Sequence, residues 1–196
     1  MGKLVFYYGT MGSAKTANAL ITRYQYLQNG RSVWLIKPAT DTRDDKAGKT
    51  IIKSRIGLEA ESSAIMADDD LFNLYTASWG YNKPDIIICD EAQFFSTAQI
   101  EQLRDIATFA DIDILCFGLK TNFMTRSFNG SARLFELADE LIKLDNICDC
   151  GRTALVNARL DESGNIVTTG ENILIGGDGQ YKAMCWKCYR QQNNIG

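Results

Sequence analysis

The chain has 196 residues, of which 45% are hydrophobic and 23% are charged, so it can form one full core and a small additional module. Its net charge of -3 and its pI near 5.1 argue against a protein whose main role is to wrap nucleic acid. No apolar run approaches the roughly 20 residues of a membrane-spanning helix, and no signal-peptide cleavage site follows the first residues. We therefore expect a cytoplasmic protein that binds neither nucleic acid nor membranes.

The first part of the chain alternates between strand-like and helix-like segments. An apolar run over residues 3–8 ends at Gly9 and predicts a strand buried on both faces of a sheet. A helix is predicted over residues 15–28, with Gly30 as its C-terminal stop, and a second strand over residues 32–37. This order is the opening of a doubly wound α/β fold with a mostly parallel sheet.

The alternation continues after a polar interruption. Residues 41–53 are polar and aperiodic, which predicts a mobile surface loop of the kind that closes over ligands. A helix is predicted near residues 68–79. The run DIIICDE at residues 85–91 then predicts the next buried strand.

A capping signal marks the helix that follows. Ser96 and Gln99 match the S-x-x-Q capping box and predict a helix that ends near Ala110. A strand over residues 112–118 and a helix over residues 131–140 complete this part. From about Asn146 the sequence changes to short β-prone segments flanked by cysteine pairs. We therefore divide the chain into an α/β domain over residues 1–145 and a small β-rich lobe over residues 146–196, and the motifs below predict that they bind a nucleotide and zinc, respectively.

The loop GTMGSAKT follows the first predicted strand and matches the phosphate-binding motif G-x-x-x-x-G-K-[ST], except that Ala14 replaces the second glycine. In this motif backbone N–H groups bind phosphate oxygens, the lysine adds a positive charge, and the threonine hydroxyl binds magnesium. The flanking strand and helix are the setting that the motif requires, so we predict a site for ATP and Mg²⁺. The Cβ of Ala14 is expected to narrow the loop or to shift the nucleotide. The predicted ATP-binding residues are Gly9, Thr10, Met11, Gly12, Ser13, Ala14, Lys15 and Thr16.

Two carboxylates end the strand predicted over residues 85–91. In phosphate-loop proteins a carboxylate at such a strand end holds magnesium, so we assign Asp90, together with Thr16, to a Mg²⁺ site. Glu91 is then available to accept the proton of an attacking hydroxyl group.

Four of the six cysteines form two pairs near the C-terminus, Cys148-x-Cys150 and Cys185-x-x-Cys188. Four thiolates suit a closed, tetrahedral zinc site with a structural role. One competing interpretation is a redox pair, which is disfavoured because no βαβ pattern surrounds Cys185. The other is a zinc ribbon that binds nucleic acid, which should be more basic.

The remaining cysteines and the absence of histidine narrow the possible chemistry. Cys89 and Cys116 lie in apolar runs and are interpreted as small buried hydrophobic residues. The chain contains no histidine, so the commonest general base and the commonest zinc ligand are absent. Catalysis must use carboxylates, lysine, hydroxyl groups or a metal ion.

Four segments in order carry a family resemblance: the phosphate loop, DEAQFF at 90–95, FGLKTNF at 117–123 and GGDGQYKAMCWKC at 176–188. Together they resemble the zinc-bearing (type II) thymidine kinases over nearly the whole chain. The resemblance implies transfer of the γ-phosphate of ATP to the 5′-hydroxyl of thymidine, a step in the salvage of DNA precursors. It also implies a homotetramer that is inhibited by thymidine triphosphate.

The resemblance also implies roles for individual residues. Glu91 resembles the catalytic base of the family, and Gln93 falls within the nucleotide-binding set. Arg55, and Asp41 with Arg43, match a polar loop near the phosphates. A lasso loop between the cysteine pairs is implied to hold the base largely through main-chain groups. The residues implied to contact the substrate are Met11, Arg55, Phe94, Phe123, Asn172, Ile173, Leu174, Ile175, Gly176 and Tyr181.

Two other functions stay open at this point. A phosphate-loop ATPase that acts with a partner would use water as the phosphate acceptor. A non-enzymatic zinc-binding adaptor would show no nucleotide-dependent activity and would bind oligonucleotides with a salt-dependent affinity. The residues alone predict an ATP-using enzyme with a structural zinc lobe, and the nucleoside acceptor comes from the resemblance.

Overall fold

Strands and helices alternate along most of the chain. The computed structural model describes residues 1–79, 82–170 and 180–193. Within these ranges the strands are β1 (Leu4–Gly9), β2 (Val33–Pro38), β3 (Ile51–Lys53), β4 (Glu59–Glu61), β5 (Ser63–Ile65), β6 (Ile86–Cys89), β7 (Asp113–Leu119), β8 (Glu140–Leu144), β9 (Val156–Leu160), β10 (Ile166–Val167) and β11 (Tyr181–Met184). The helices are α1 (Lys15–Gln28), α2 (Leu71–Trp79), α3 (Thr97–Ala110), α4 (Asn129–Leu137) and α5 (Trp186–Gln192), and a short 3₁₀ turn spans Ala92–Phe94. None of the helices in these ranges is long and apolar enough to span a bilayer.

Six strands form the central sheet in the order β5, β2, β6, β7, β1, β8, and all of their pairings are parallel. Side chains of the central strand β6 alternate between two hydrophobic clusters. Ile87 and Cys89 pack with α2, α3 and α4, whereas Ile86 and Ile88 pack with α1. Because successive side chains of a strand point to opposite faces, helices cover both faces of the sheet. The predicted doubly wound α/β fold is confirmed.

The carboxyl ends of the parallel strands meet at one edge of the sheet. Gly9 ends β1, Pro38 ends β2, Cys89 ends β6 and Leu119 ends β7. Ligands of open α/β sheets bind outside this edge. The four segments that follow these strands are therefore the ones that position the site.

A separate three-stranded antiparallel sheet has the order β10, β9, β11. Its core contains Val156, Ala158, Met184 and Tyr189 together with buried cysteines. This β-rich unit lies where the sequence predicts the zinc lobe. The boundary between residues 145 and 146 stays a prediction.

Several local sequence signals are confirmed. Helix α1 has the predicted bounds, and Gly30 follows it with a φ of 69°. Ser96 Oγ accepts from the N–H of Gln99 at 3.2 Å, and the Gln99 side chain accepts from the N–H of Ser96 at 3.1 Å. Cys89 and Cys116 are fully buried.

The prediction of a loop over residues 41–53 is wrong at its C-terminal end. There β3 pairs with β4 in a short antiparallel hairpin. Ile52 is only 3% exposed and packs in the cluster with Leu35 and Ile88. Each strand of the hairpin has three residues, which are too few to produce a recognisable period in the sequence.

The helix predicted over residues 131–140 is also wrong at its end. Helix α4 stops at Leu137, and Glu140 begins β8, which pairs with β1 at the edge of the central sheet. The strand carries exposed charged residues, as edge strands do, so it lacks the apolar run that marks the inner strands.

Candidate active site

A cavity of about 490 Å³ lies at the carboxyl edge of the central sheet. It is bordered by the phosphate loop, by the segments that follow β2, β6 and β7, and by β9 and β11. Among the residues predicted from sequence, those that line it are Met11, Gly12, Ala14, Lys15, Thr16, Asp41, Arg43, Arg55, Glu91, Gln93, Phe94, Phe123 and Tyr181. The predicted residues Gly9, Thr10, Ser13 and Asp90 are buried beside lining residues in the chain. The fold thus gathers residues from both ends of the sequence around one space.

The backbone of the phosphate loop is left-handed at two positions. Gly12 has a φ of 79°, and Ala14 has a φ of 59° and a ψ of 25°. Glycine adopts this conformation freely, whereas an alanine is strained there by roughly 1–2 kcal/mol. Ala14 therefore meets the backbone requirement of the missing glycine, with strain. Its predicted effect on the position of the nucleotide stays a prediction.

Lys15 begins α1 and places its ammonium group against the loop. Its Nζ donates to the carbonyl of Thr10 at 2.7 Å and lies 3.5 Å from Ser13 Oγ. Burial lowers the pKa of Lys15 to about 8, and the Glu91 and Asp90 carboxylates oppose that decrease. Among the described residues, buried Thr10 Oγ1 has no hydrogen-bond partner. A cation and an unsatisfied hydroxyl in one loop fit a phosphate group.

Asp90 directly follows β6 and is 4% exposed. Burial raises its pKa to about 7, with a further contribution from the charge of Glu91, while a hydrogen bond from Thr16 opposes the increase. A carboxylate and a hydroxyl side by side are the hard oxygen donors that magnesium prefers. The pair therefore fits the predicted Mg²⁺ site, because a bound cation would stabilise the ionised form of Asp90.

Glu91 lies beyond the end of β6, not within the strand as predicted from residues 85–91, and has a φ of 50°. Arg43 Nη2 donates to its Oε1 at 2.5 Å. Gln93 Nε2 donates to its Oε2, and Gln93 Oε1 accepts from the N–H of Leu119 at 2.9 Å. The carboxylate is thus held on both oxygens. Strained backbone of this kind is concentrated at functional sites.

The segment after β2 is anchored by a lysine that the sequence analysis missed. Lys37 is 1% exposed, and its Nζ donates to Asp45 at 2.9 Å and to the carbonyl of Ile51 at 2.8 Å. The same segment carries Arg43, whose Nε donates to Asp41 at 2.7 Å. Although burial opposes it, this contact lowers the pKa of Asp41. The anchored segment brings Arg43 to Glu91.

Aromatic side chains form another part of the cavity wall. Phe94 meets Phe128 edge to face, with ring centroids 5.5 Å apart. Phe123 is 1% exposed, and the guanidinium carbon of Arg159 lies 4.0 Å from the centre of its ring. Phe94 and Phe123 were predicted, whereas Phe128 and Arg159 carry no sequence signal that separates them from core or surface residues.

The two cysteine pairs come together as predicted. The Sγ atoms of Cys148, Cys150, Cys185 and Cys188 lie within 4.8 Å of one another. Gly151, with a φ of 81°, makes the turn that the tight first pair requires. A hydrogen bond from the backbone N–H of Arg152 lowers the pKa of Cys150 to about 6, which favours the thiolate. Four sulfur ligands in this arrangement fit zinc.

Comparison with known proteins decides the family. A family model described as "Thymidine kinase" matches residues 2–189. This chain belongs to the thymidine kinase family. The chain is similar to the thymidine kinase of Shewanella oneidensis, with 37% identity over 191 residues, which cover 97% of this chain and 98% of the relative. It is similar to that of Enterobacteria phage T4, with 38% identity over 193 residues and 97% coverage of both.

Membership of the thymidine kinase family confirms the resemblance predicted from four segments, and with it the class of ATP-dependent phosphotransferase. Among solved structures, Bacteroides Pif1 bound to ssDNA matches 72% of this chain and 38% of its own, with 16% identity and a TM-score of 0.38. A likeness at that score carries no argument about function.

The implied thymidine kinase lasso is only partly placed by the structure. Tyr181 begins β11 and lines the cavity. The predicted residues Asn172, Ile173, Leu174, Ile175 and Gly176 lie outside the described residues. The structure adds Asn157 of β9 to the cavity wall. The sequence carries one signal for this role of Asn157, because the asparagine lies between the apolar strand residues Val156 and Ala158.

Proposed function

We propose that this member of the thymidine kinase family transfers the γ-phosphate of ATP to the 5′-hydroxyl of thymidine in the cavity described above, with Glu91 as the base. One observation carries the proposal. A single cavity is lined by the phosphate loop, by Glu91 and by the aromatic residues Phe94 and Phe123. The phosphate loop therefore suits an anionic phosphate donor, and the aromatic residues suit a planar pyrimidine.

In this proposal Glu91 aims the attacking hydroxyl and accepts its proton. Arg43 and Gln93 each hold one carboxylate oxygen, so the position of Glu91 is set before the acceptor binds. Each carboxylate oxygen can accept two hydrogen bonds, so an acceptor site for the substrate hydroxyl remains. A positioned base contributes roughly 10²- to 10⁴-fold to the rate.

The phosphate loop supplies positive charge where the transition state spreads negative charge. Phosphoryl transfer has a loose transition state, so catalysis depends on positioning and charge stabilisation. Lys15, Arg55 and backbone N–H groups at the start of α1 provide that charge on the cavity wall. Thr16 and Asp90 would hold Mg²⁺, which when bound neutralises phosphate charge.

The nucleoside is proposed to bind between the aromatic residues and the end of the zinc lobe. Phe94 and Phe123 contribute aromatic rings to the cavity wall, and Met11 and Tyr181 complete this part of the wall. We further propose that main-chain groups of residues 172–176 pair with the edge of the pyrimidine. Recognition by main-chain groups would make base binding depend little on side chains in that segment.

The four clustered cysteines are proposed to bind zinc in a structural role, because four protein ligands leave no open position for catalysis. We also propose a cytoplasmic location, because paired cysteines that bind a metal are typical of reducing compartments. Cys185→Ser should remove bound zinc, as measured by elemental analysis of the purified protein. Cys116→Ser, in the sheet core, should retain it. Zinc retained in Cys185→Ser would contradict the assignment.

One assay tests the function. ADP release is measured with Mg²⁺ and ATP in the presence of thymidine, deoxycytidine, thymidine monophosphate or no acceptor. Acceleration by thymidine alone is expected. Equal ADP release without an acceptor would support the ATPase alternative, and no release under any condition would support the adaptor. Stimulation by the monophosphate alone would replace the acceptor assignment.

We also propose that the chain forms a homotetramer inhibited by thymidine triphosphate. Helix α1 exposes Ile21, Tyr24 and Leu27 along one face, with exposed fractions of 43%, 61% and 42%. An apolar stripe of this kind supports contact with another copy. Because the cavity joins the phosphate loop to the aromatic wall, it also suits a nucleoside that carries its own phosphates. Light scattering of Ile21→Asp, with Asn73→Asp at an exposed position of α2 as the control, tests assembly: a smaller assembly is expected for Ile21→Asp only.

A further inference from the structure

Strand β9 of the zinc-binding lobe has two chemically different faces. Val156 and Ala158 point into the core of the lobe. Asn157 and Arg159, at the alternating positions, contact the other part of the molecule: Asn157 reaches the phosphate loop, and Arg159 lies over Phe123. The apolar face thus fixes the strand within the lobe, and the polar face is available to hold residues of the cavity.

Asn157 makes two hydrogen bonds to main-chain groups of separate segments. Its Oδ1 accepts from the N–H of Met11 at 2.7 Å. Its Nδ2 donates to the carbonyl of Thr121, in the segment after β7, at 3.2 Å. Asn157 is 3% exposed, so water competes little for these bonds.

A second asparagine holds the other main-chain group of Met11. Asn146 Nδ2 donates to the Met11 carbonyl at 2.8 Å. The same side chain lies against Gly12, where an added Cβ would come within 3.0 Å of Asn146 Nδ2. Both hydrogen-bonding groups of Met11 are therefore bound to the protein, in a loop whose neighbouring N–H groups serve the phosphates.

We propose that Asn157, together with Asn146, is a positioning residue that clamps the phosphate loop at Met11. The clamp directs the Met11 N–H away from the ligand and holds the Met11 side chain at the cavity wall. It also joins the loop to the segment of Thr121, which leads to Phe123, and so couples the two sides of the cavity. This inference rests on the proposed role of residues 9–16 as the phosphate cradle.

The test compares Asn157→Ala, Asn146→Ala, the double variant and the control Asn165→Ala. Asn165 is exposed in a turn of the same lobe and hydrogen-bonds only to Asp161 among the described residues. Initial rates at varied ATP give KM and kcat separately. A merely structural role would lower the fraction of active protein, and hence kcat, without changing KM.

We expect Asn157→Ala to raise the KM for ATP about tenfold, with kcat within about threefold of the parent, since the lost bonds hold the loop and not Glu91. The double variant should lie within about threefold of Asn157→Ala, because both bonds hold the same residue. Asn165→Ala should match the parent. An unchanged KM in Asn157→Ala, or effects of the two substitutions that multiply fully, would overturn the proposal.

A measurement that does not depend on the reaction separates this inference from the function. Hydrogen exchange of the Met11 amide, followed by NMR, should be slow in the parent protein and in Asn165→Ala and at least about tenfold faster in Asn157→Ala, because the amide loses its acceptor. Slow exchange in Asn157→Ala would overturn the clamp even if the chain phosphorylates thymidine. Fast exchange would support the clamp even if thymidine were not the acceptor.

Discussion

The two sides of the cavity are built in different ways. The proposed phosphate side comes from the consecutive residues 9–16 and from Asp90 and Glu91, which directly follow β6. The proposed nucleoside side is assembled from separate segments: Phe94 follows β6, Phe123 follows β7, and Tyr181 begins β11. Residues that are adjacent in sequence supply most of the first side, whereas residues far apart in sequence supply the second. Substitutions on the two sides should therefore change different kinetic constants.

The largest effect is expected where the two sides meet. Glu91→Gln should lower kcat by about 10²- to 10⁴-fold, because an amide cannot accept the proton of the attacking hydroxyl. The KM for thymidine should change little. Steady-state rates check this, with Glu101→Gln on the exposed face of α3 as the control. Near-normal turnover of Glu91→Gln with tight thymidine binding would remove Glu91 from the mechanism.

A smaller effect, confined to the phosphate side, is expected at Lys15. Lys15→Met should lower kcat/KM for ATP by about 10²- to 10³-fold, because one preorganised charge on the transferred phosphoryl group is lost. Thymidine affinity, measured by calorimetry, should stay within about threefold of the parent value, since the nucleoside wall is unchanged. Lys83→Met, at an exposed lysine whose Nζ donates to the carbonyl of Ala110, serves as the control. If thymidine affinity fell as far as the rate, the two sides would not be separable.

On the nucleoside side the expected change is about tenfold. Phe94→Ala should raise the KM for thymidine by about tenfold, since stacking of a base on an aromatic ring contributes roughly 1–3 kcal/mol. The KM for ATP should be unchanged. Phe72→Ala, at an exposed aromatic residue of α2, is the matched control. If the KM for ATP rose as much as the KM for thymidine, Phe94 would support the whole cavity and would not be specific to the nucleoside.

The smallest effect concerns the strained position in the phosphate loop. Ala14→Gly should raise the free energy of unfolding by up to about 1 kcal/mol, because relief of the left-handed strain exceeds the added entropy of the unfolded chain. Ala17→Gly, inside α1, should lower it by about 1 kcal/mol. Urea denaturation of both variants measures the difference. Destabilisation of equal size by both substitutions would show that Ala14 is not strained.

Much of the phosphate side could be predicted because its determinants are adjacent in sequence. The apolar run before Gly9, the lysine and threonine after Ala14, and the bounds of α1 are all local properties. The capping box at Ser96 is equally local and is confirmed. The two cysteine pairs are each local, and their meeting follows from the chemistry of a closed metal site.

The predictions are wrong or incomplete where the local sequence pattern suggests one environment and the folded protein places the residues in another. Strand β8 is an edge strand with exposed charges and has no apolar run. The sequence therefore carries no sign that the helix predicted over residues 131–140 ends before Glu140. Hairpin strand β3 has one fully buried apolar side chain, that of Ile52, so its segment shows no strand pattern in the sequence. Lys37 sits in an apolar strand, where a lysine usually marks the solvent-facing end, yet it is buried beneath the segment it anchors.

The sequence by itself determined the fold class, the phosphate loop, the two carboxylates after β6 and the two cysteine pairs, because each depends on residues a few positions apart. Only the tertiary structure decided which side chains hold these groups in place. Arg43 reaches Glu91 across 48 positions, and Asn157 reaches Met11 across 146. The sheet topology brings the partners of these bonds together, and no periodicity or motif in the sequence indicates that they are close in space.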